Sequence, residues 1–384
     1  MCLVSAGGLD RARNGKNTKR QAWTVTPLDH DSVTPRDRGR DAKRHKLSGE
    51  RAKPCVWFLW GEFLSDDTEY DSGHKATMKK LNLLVSLTTN DNDYQIEQAA
   101  SAEEAARRLG ADLRIIYADN DAVNQSQQLL KAIQSSSTVR PNAIVFEPAG
   151  STGLAQVARA AAAAGIGWVI LNREADYIAE LRTAYPVPVF CITSDHHEIG
   201  RIQGQQIGAL VPQGASILYV QGPSGSDAAQ QRTVGMQETK PANIQVRMLR
   251  AQWTEVSAYH AVSAWLRLST SRALQMYAII AQDDSMAMGA RKAFQEITDS
   301  RLRDHWLTRP FTGCDGMPKT GQAWVRSGSL AATVVVPANA GLALEMLAKT
   351  VQSGVLPAER TFTEVRSHPS IADLAAVHDK KRLV

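Results

Sequence analysis

The most regular feature of the chain is an alternation, beginning at Leu81, between short apolar runs and longer amphipathic segments. The short runs are apolar at nearly every position, as expected for strands of a parallel sheet covered by helices on both faces. The longer segments carry apolar residues three or four positions apart, which is the spacing of one helical face. The pattern therefore predicts successive βαβ units and an α/β fold. The predicted strands are LNLLVSL, LRIIYA, AIVFE, WVIL, VFCIT, ASILYVQ, IQVRML, YAIIA, FTGC, AATVVV and TFTEV, and the predicted helices span residues 94–109, 123–133, 154–164, 198–210, 228–237, 256–268, 285–296, 319–326 and 341–351.

Two architectures can be built from such units, a single (β/α)₈ barrel or two doubly wound lobes. The barrel needs eight equivalent units, whereas more than eight strands are predicted here. A break at AYPVPVFCITSD indicates the start of a second half, and a length of 384 residues suits two lobes of ordinary size. We therefore favour two doubly wound, Rossmann-like lobes.

Residues 1–77 differ from the rest of the chain, because they are basic and show no sustained periodicity. This composition is typical of a disordered extension, and Met78 is a plausible alternative start. The net charge of +5 is concentrated there, and the remaining chain is close to balanced. We therefore expect no nucleic-acid partner.

Targeting signals and cysteine motifs are also missing from the pattern. No apolar run reaches the length of a membrane span, and the start lacks the plan of a secretory signal, so the chain as written reads as cytoplasmic. The four cysteines form no C-x-x-C pair. Cys191 and Cys314 lie in apolar surroundings, where a buried thiol is the simplest interpretation.

Catalytic signatures are absent as well, including H-E-x-x-H, G-x-S-x-G, the P-loop and G-x-G-x-x-G. GPSGSDAAQ and PAGSTGLAQ place small residues before a helix, where backbone N–H groups could hold an anion or hydroxyl, although a turn and an N-cap give the same letters. His196 and His197 are adjacent and cannot face one metal ion, so surface or capping roles are expected. These observations predict a protein without catalytic activity, cofactor or metal.

Polar and aromatic residues collect just after the predicted strands, where open α/β sheets bind their ligands. Carboxylates, amides and an arginine can pair with hydroxyl groups, and flat aromatic faces can stack on the C–H faces of a sugar. Any buried polar group left unpaired would cost about 1–3 kcal/mol, so a fully enclosed polyol needs such a mixture. The residues are Asn90, Asn92, Tyr94, Glu147, Asn172, Arg173, Gln221, Trp253, Asp283, Asp284 and Asp315.

The order of several motifs resembles the type I periplasmic sugar-binding proteins, of which ribose-binding protein is typical, and the effector-binding core of lactose-repressor-type regulators. The motifs are NDNDY, FEPAG, ILNRE, ITSDHHEIGRIQG, VQGPSGSDAAQQRTVGM, AQDDSMAMGARKAF, GCDGMP and GSLAATVVVP. The resemblance implies one domain over residues 78–384, with two lobes joined by a three-strand hinge. Lobe one would comprise about 80–193 and 337–363, and lobe two about 194–336 and 364–384.

The resemblance also implies a ligand site between the lobes. The family's first-loop aromatic matches Tyr94, its Asp-Arg pair matches Asn172-Arg173, and its Asn-Asp pair matches Asp283-Asp284. Gln95, Asn172, Gln230 and Val336 depart from the pattern of ribose binders, which argues against ribose and leaves a sugar or polyol. The predicted ligand-binding residues are Asn92, Tyr94, Asn172, Arg173, Gln230, Arg232, Trp253, Asp283 and Asp315.

Two functions follow from the resemblance. The first is the substrate-binding component of a carbohydrate ABC transporter, with a permease as partner and a periplasmic location. The alternative is a ligand-sensing module of the same fold, either beside a sensor kinase or as a regulator core without a DNA-binding headpiece. A helix-turn-helix pattern is missing from residues 1–77, which argues against DNA binding. An α/β enzyme is disfavoured, because no nucleophile–base constellation is visible.

Overall fold

The computed structural model describes residues 80–150, 153–268 and 275–382, with side chains described up to residue 376. The predicted extension over 1–77 lies outside these ranges. Strands and helices alternate as the apolar pattern predicts, and the fold is α/β.

In chain order the elements are β1 (Asn82–Leu87), α1 (Asp93–Leu109), β2 (Asp112–Tyr117), α2 (Ala122–Ile133), β3 (Ala143–Phe146), α3 (Ala155–Ala163), β4 (Gly167–Leu171), α4 (Ile178–Ala184), β5 (Val189–Ser194), α5 (His196–Leu210), β6 (Ser216–Gln221), α6 (Asp227–Thr239), β7 (Gln245–Arg250), α7 (Glu255–Leu266), β8 (Met276–Ala281), α8 (Asp284–Gln295), α9 (Ser300–Leu307), β9 (Phe311–Thr312), α10 (Gly321–Arg326), β10 (Thr333–Val335), α11 (Ala340–Ser353), β11 (Arg360–Thr363), β12 (Arg366–His368) and α12 (Ile371–Arg382).

Six parallel strands form the sheet of the first lobe, in the order β11-β5-β4-β3-β1-β2. Its strands are apolar on both faces, because helices cover both sides. Trp168 is fully buried against Phe146 on one face, with 4.5 Å between ring centroids, and Phe190 packs on the other. The strand order reverses between β1 and β3, which places a topological switch point there.

Four parallel strands form the sheet of the second lobe, in the order β7-β6-β8-β9. Its switch point lies between β6 and β8. One face is closed by an aromatic cluster in which Phe294 stacks on Trp306 at 4.7 Å between centroids, with Trp265 and Phe311 at its edges. Cys191 in the first lobe and Cys314 in the second are both buried, as predicted.

The chain passes between the lobes three times, after β5, between β10 and α11, and between β11 and β12. These crossings form the predicted three-strand hinge. The short antiparallel pair of β10 and β12 lies beside β9, whose segment makes a bridge from Thr312 to Ala332. We propose that the lobe boundaries lie at these crossings, near residues 193, 336 and 363.

Four elements were not predicted, α4, α9, β12 and α12. The strand TFTEV was expected to close the chain, but β12 and α12 follow it. The helix α4 has seven residues, and α9 buries only Trp306, so neither shows a sustained apolar face. Among the described residues, no helix combines the length and apolar character that crossing a membrane requires.

Glycines let two helices of the second lobe, α5 and α6, cross with their backbones in contact. A Cβ atom added at Gly200 would lie less than 3.0 Å from the carbonyl oxygen of Arg232. A Cβ atom at Gly235 on α6 would meet the carbonyl oxygen of His197 equally closely. Backbone atoms cannot rotate away as side chains do, so these positions tolerate no side chain. The crossing fixes the part of α6 that carries Arg232.

Candidate functional site

A cavity of about 230 Å³ lies between the two lobes, at the carboxyl ends of their strands. It borders both switch points, where doubly wound sheets bind ligands. Its walls come from the segments after β1 to β5 in the first lobe and after β6 to β10 in the second. The lining side chains that are charged or can form hydrogen bonds are Thr88, Thr89, Asn92, Tyr94, Gln95, Asn120, Glu147, Asn172, Arg173, His196, Ser226, Arg232, Gln252, Trp253, Asp283 and Asp315.

Eight of the nine predicted ligand-binding residues line this cavity, and Gln230 does not. The Gln230 side chain is exposed, and its Nε2 donates to the carbonyl oxygen of Ser224 at 3.0 Å. The reason is helical rotation, because Ala228 and Arg232 are four residues apart on the buried face of α6, whereas Gln230 points away from it. The structure therefore does not bring Gln230 into the cavity with the other eight residues.

Glu147 organises the wall of the first lobe from the end of β3. Its Oε2 accepts hydrogen bonds from Gln95 Nε2 at 2.9 Å and from Asn172 Nδ2 at 3.0 Å. Burial raises the pKa of Glu147, and the nearby Arg173 guanidinium opposes that rise. Asn172 thus orients a buried carboxylate, although the family pattern has a carboxylate at position 172 itself. Glu147 is one of the polar residues that follow the predicted strands, but it is not among the ligand-binding residues that the family resemblance implies.

Tyr94 is held by its hydroxyl group, which donates to the carbonyl oxygen of Pro337 at 2.9 Å and accepts from Asn172 Nδ2 at 3.0 Å. Burial raises the pKa of Tyr94 well above its usual value, so it is neutral. Its ring is 6% exposed and forms part of the cavity floor. The position of Tyr94 is compatible with the predicted contact between its ring and a ligand.

Two residues at the start of α1 join the lobes directly. Asn92 caps the helix through Oδ1, which accepts from Tyr94 N at 2.9 Å, and its Nδ2 donates to the carbonyl oxygen of Trp253 at 2.7 Å. Asp93 accepts from Ser285 Oγ and from Thr320 Oγ1, both at 2.7 Å and both in the second lobe. The cleft is therefore closed in this conformation. The contact of Asp93 with the second lobe was not predicted, because an aspartate is common at the start of a helix and needs no further explanation there.

Trp253 forms the aromatic wall of the second lobe. Its backbone has φ +62°, and its ring lies over Gly222 with the Arg232 guanidinium 5.5 Å from the ring centroid. Asn172 (φ +55°) and Asp315 (φ +113°) are also left-handed residues in the same cavity. Strained backbone of this kind concentrates at functional sites, where the surrounding structure maintains it.

The contact between Gly222 and Trp253 yields a first prediction. A methyl group at Gly222 would overlap the indole ring, so Gly222→Ala should displace Trp253 from the cavity wall. We expect ligand affinity to fall by about 1–2 kcal/mol, roughly 5- to 30-fold, because the ligand loses part of its aromatic contact. Calorimetric titration measures the loss.

Gly208→Ala is the control, because Gly208 lies outside the cavity lining and its added Cβ would be 3.6 Å from the ring of Pro241, which is ordinary contact. It should bind as the parent does. Equal losses in both variants would show that the position of the indole ring does not determine affinity.

Asp283 is the N-cap residue of α8 and lines the cavity, and one of its carboxylate oxygens is unpaired within the described residues. Its Oδ1 accepts from Met286 N at 2.5 Å, whereas its Oδ2 has no hydrogen-bond partner among the residues that the structure describes. Burial, reinforced by the charge of Asp93, raises the pKa of Asp283 to about 7. Asp284 instead points into the lobe, where it accepts from Gly316 N and Thr333 Oγ1, both at 2.7 Å. Only the first of the two aspartates can reach a ligand.

The raised pKa yields a second prediction. Asp283→Asn should stabilise the ligand-free protein above pH 7, because a folded-state pKa of about 7 against an ordinary 3.8 disfavours the ionised carboxylate in the fold. The folded protein retains a proton that the unfolded chain releases, so the advantage of asparagine is near zero at pH 4 and complete above pH 7. We expect about 1–2 kcal/mol at pH 8, after allowance for burial of the amide. Urea unfolding at pH 5 and pH 8 checks this, and an equal advantage at both values would contradict it.

Asp315 and Arg232 complete the wall of the second lobe. Burial and the neighbouring Asp283 raise the pKa of Asp315 well above its usual range, and Arg232 opposes the rise. Arg232 donates through Nη1 to the carbonyl oxygen of Gln282, and its Nε has no partner within the described ranges. No three His, Cys, Asp or Glu side chains of the described chain are arranged to hold a metal ion.

His196 corrects a sequence prediction, because it is buried rather than on the surface. Its Nε2 is 2.9 Å from the carbonyl oxygen of Asn172, and burial together with Arg232 and Arg173 lowers its pKa well below 6.5. The imidazole is therefore neutral and lines the cavity from the first turn of α5. His197 is half-buried at the surface, and its Nε2 lies 3.0 Å from Glu238 Oε1.

Known proteins resemble this chain in sequence and in fold. A family model described as periplasmic binding protein domain matches residues 83–354. The ribose import binding protein RbsB of Escherichia coli is 26% identical over 257 residues, which cover 67% of this chain and 79% of that protein. The D-apiose import binding protein of Paraburkholderia graminis is 25% identical over 267 residues, covering 68% and 78%.

A solved structure shares the fold. It is a protein from Mycobacterium smegmatis in complex with beta-D-fucofuranose, which superposes with a TM-score of 0.63 at 22% identity and covers 79% of this chain and 95% of its own. The similarity is one of fold, and it reproduces the two lobes described above. With the family match over most of the described residues, it confirms the resemblance seen in the sequence. This chain belongs to the type I periplasmic binding protein family.

Proposed function

We propose that this protein binds a sugar or a related polyol in the cleft between its lobes, without chemical conversion, as the substrate-binding component of a carbohydrate ABC importer. One observation carries the proposal. Four buried polar atoms of cavity residues have no hydrogen-bond partner among the described residues: Arg173 Nε, His196 Nδ1, Arg232 Nε and Asp283 Oδ2. Each unpaired atom costs about 1–3 kcal/mol, which a ligand rich in hydroxyl groups would recover.

The surroundings of these atoms support a sugar-sized, partly apolar ligand. Tyr94 and Trp253 offer aromatic faces from opposite lobes, and sugars combine hydroxyl edges with C–H faces. The relatives also support the proposal, since the E. coli and P. graminis proteins are named for import of ribose and D-apiose. The absence of a catalytic step is supported by His196, whose Nε2 is engaged by a backbone carbonyl rather than by a nucleophile.

The contacts of Asn92 and Asp93 across the cleft support ligand-induced closure. They are few and polar, so they give little stability in water without a ligand that touches both lobes. A ligand that contacts Arg173 and Trp253 together would favour the closed state by its differential affinity. The radius of gyration should therefore fall when a ligand is added.

A panel of pentoses, hexoses, furanosides and polyols tests the proposal. A ligand at 100 times its dissociation constant should stabilise the protein by about 2.7 kcal/mol through mass action, which a thermal shift detects. Calorimetry then gives affinity, and NMR of the recovered ligand should show it unchanged. Conversion of the ligand, or a panel without any binder, would contradict the proposal.

The partner and the compartment are parts of the same proposal. A periplasmic location would bring the closed lobes to a membrane permease, as the family name implies. Fractionation of the native host followed by detection of the protein tests the location. Co-purification with a permease, rather than with a sensor kinase, would support import over sensing.

A further inference from the structure

The charges around the cavity do not balance. Among the described residues, three carboxylates line it, those of Glu147, Asp283 and Asp315, against two guanidinium groups, those of Arg173 and Arg232. Arg173 lies near Glu147 in the first lobe. Arg232 is the cation that faces both Asp283 and Asp315 in the second lobe. One negative charge on the wall of the second lobe is therefore unmatched whenever Asp283 and Asp315 are both ionised.

A fourth carboxylate increases this imbalance when the cleft is closed. Asp93 of the first lobe reaches Ser285 and Thr320 and adds its charge to the field at Asp283 and Asp315. Two neutral hydroxyl groups bind Asp93, and neither offsets its charge. Closure thus brings a further anion toward a wall that is already acidic.

Asp283 is the acidic residue of this wall whose carboxylate has, within the described chain, an unpaired oxygen at the cavity. Its side chain is 2% exposed, its Oδ2 has no partner within the described residues, and its Oδ1 is already held by Met286 N. When Asp283 is ionised, this buried oxygen requires a donor. A protonated amine favours that ionised form and bonds to it more strongly than a hydroxyl group does. The family pattern has asparagine at this position, which would bring no charge.

We infer that the natural ligand carries a protonated amino group that pairs with Asp283, so that it is an amino sugar or an amino-polyol rather than a neutral sugar. The inference rests on the proposed function, and specifies the ligand class of the same site. The ammonium group supplies the missing positive charge and donates to Asp283 Oδ2. The hydroxyl groups of the ligand remain for Arg173, Arg232 and Glu147.

Matched pairs of ligands test the inference by calorimetry at pH 7. The probes are D-glucosamine and D-galactosamine against D-glucose and D-galactose, and glucamine against sorbitol, with N-acetyl-D-glucosamine as an amide that lacks the charge. We expect the amine of at least one pair to bind at least tenfold more tightly than its hydroxyl counterpart, and the N-acetyl compound to lose that advantage.

Asp283→Asn should remove the preference by lowering the ratio of amine affinity to neutral-sugar affinity at least tenfold, because the amide carries no charge to pair with the ammonium group. The control is Asp299→Asn, the same change at the exposed N-cap of α9 in the same lobe, which should bind as the parent does. Equal or tighter binding of neutral sugars to the parent would overturn the inference and leave the proposed function standing. Failure of the amines, these sugars and the wider panel would overturn both.

Discussion

Replacing Arg173 with alanine is expected to lower ligand affinity by about 3 kcal/mol, roughly 150-fold. Its guanidinium donates to the carbonyl oxygen of Asn172 at 2.8 Å and to Ser226 Oγ of the other lobe at 3.3 Å, with Nε left for the ligand. Alanine would leave the buried Glu147 carboxylate without its nearby cation and the ligand without a donor. Calorimetry with the tightest ligand of the panel measures the loss.

Two variants make this result specific. Arg173→Lys should recover only part of the affinity, because an ammonium group cannot reproduce the planar set of donors. Arg201→Ala is a matched control, since Arg201 is an exposed arginine paired with Glu198 and Glu238 and lies outside the cavity lining. A ligand whose affinity is the same in Arg173→Ala and Arg201→Ala would place the binding site elsewhere.

Gly200→Ala is expected to destabilise the protein by about 2–4 kcal/mol, although alanine is normally the better helix former. The added methyl group would overlap the carbonyl oxygen of Arg232, and only separation of α5 from α6 could relieve the overlap. Because the contact is at Arg232 itself, ligand affinity should fall as well. Urea unfolding followed by circular dichroism measures the stability.

Gly208→Ala provides the comparison on the same helix. Gly208 lies about two turns after Gly200 on α5, and its added Cβ would be 3.6 Å from the ring of Pro241, which is ordinary contact. Helix propensity should then dominate, and the variant should gain up to about 1 kcal/mol. Similar stabilities for the two variants would show that the helices separate at little cost.

The fold was predictable because its strands are buried on both faces. Runs such as AIVFE and YAIIA admit few other interpretations when amphipathic helices flank them. The helix α4 and the end of the chain after β11 were missed for the opposite reason. Their segments are short or half-exposed, so apolar residues do not recur often enough to mark a helical face.

Part of the site was predictable from the rule that ligand-binding residues lie just after the carboxyl ends of the strands. That rule alone identifies Glu147, and applied to β5 it would also have identified His196, which follows Ser194 by two residues. The transferred position Gln230 lies outside the cavity, because alignment to a family position carries no information about helical rotation. The burial of Ala228, Ala229 and Arg232 on α6 follows the helical period and would have turned Gln230 outward.

Other features of the site depend on tertiary contacts that no local pattern contains. Asp93 reads as an ordinary residue at the start of a helix, and only the closed cleft reveals its bonds to Ser285 and Thr320. The left-handed backbone of Asn172 and Trp253 is likewise unexpected for residues other than glycine. Surrounding contacts enforce both conformations.

A crystal structure of the protein saturated with the tightest ligand of the panel tests the central claim most directly. We predict one ligand molecule in the cavity between the lobes, with hydrogen bonds to Arg173 from one side and to Asp283 from the other, and with Trp253 against its apolar face. The bonds from Asn92 to Trp253 and from Asp93 to Ser285 should be present in that closed state. A ligand bound outside this cavity, or in contact with one lobe only, would contradict the account.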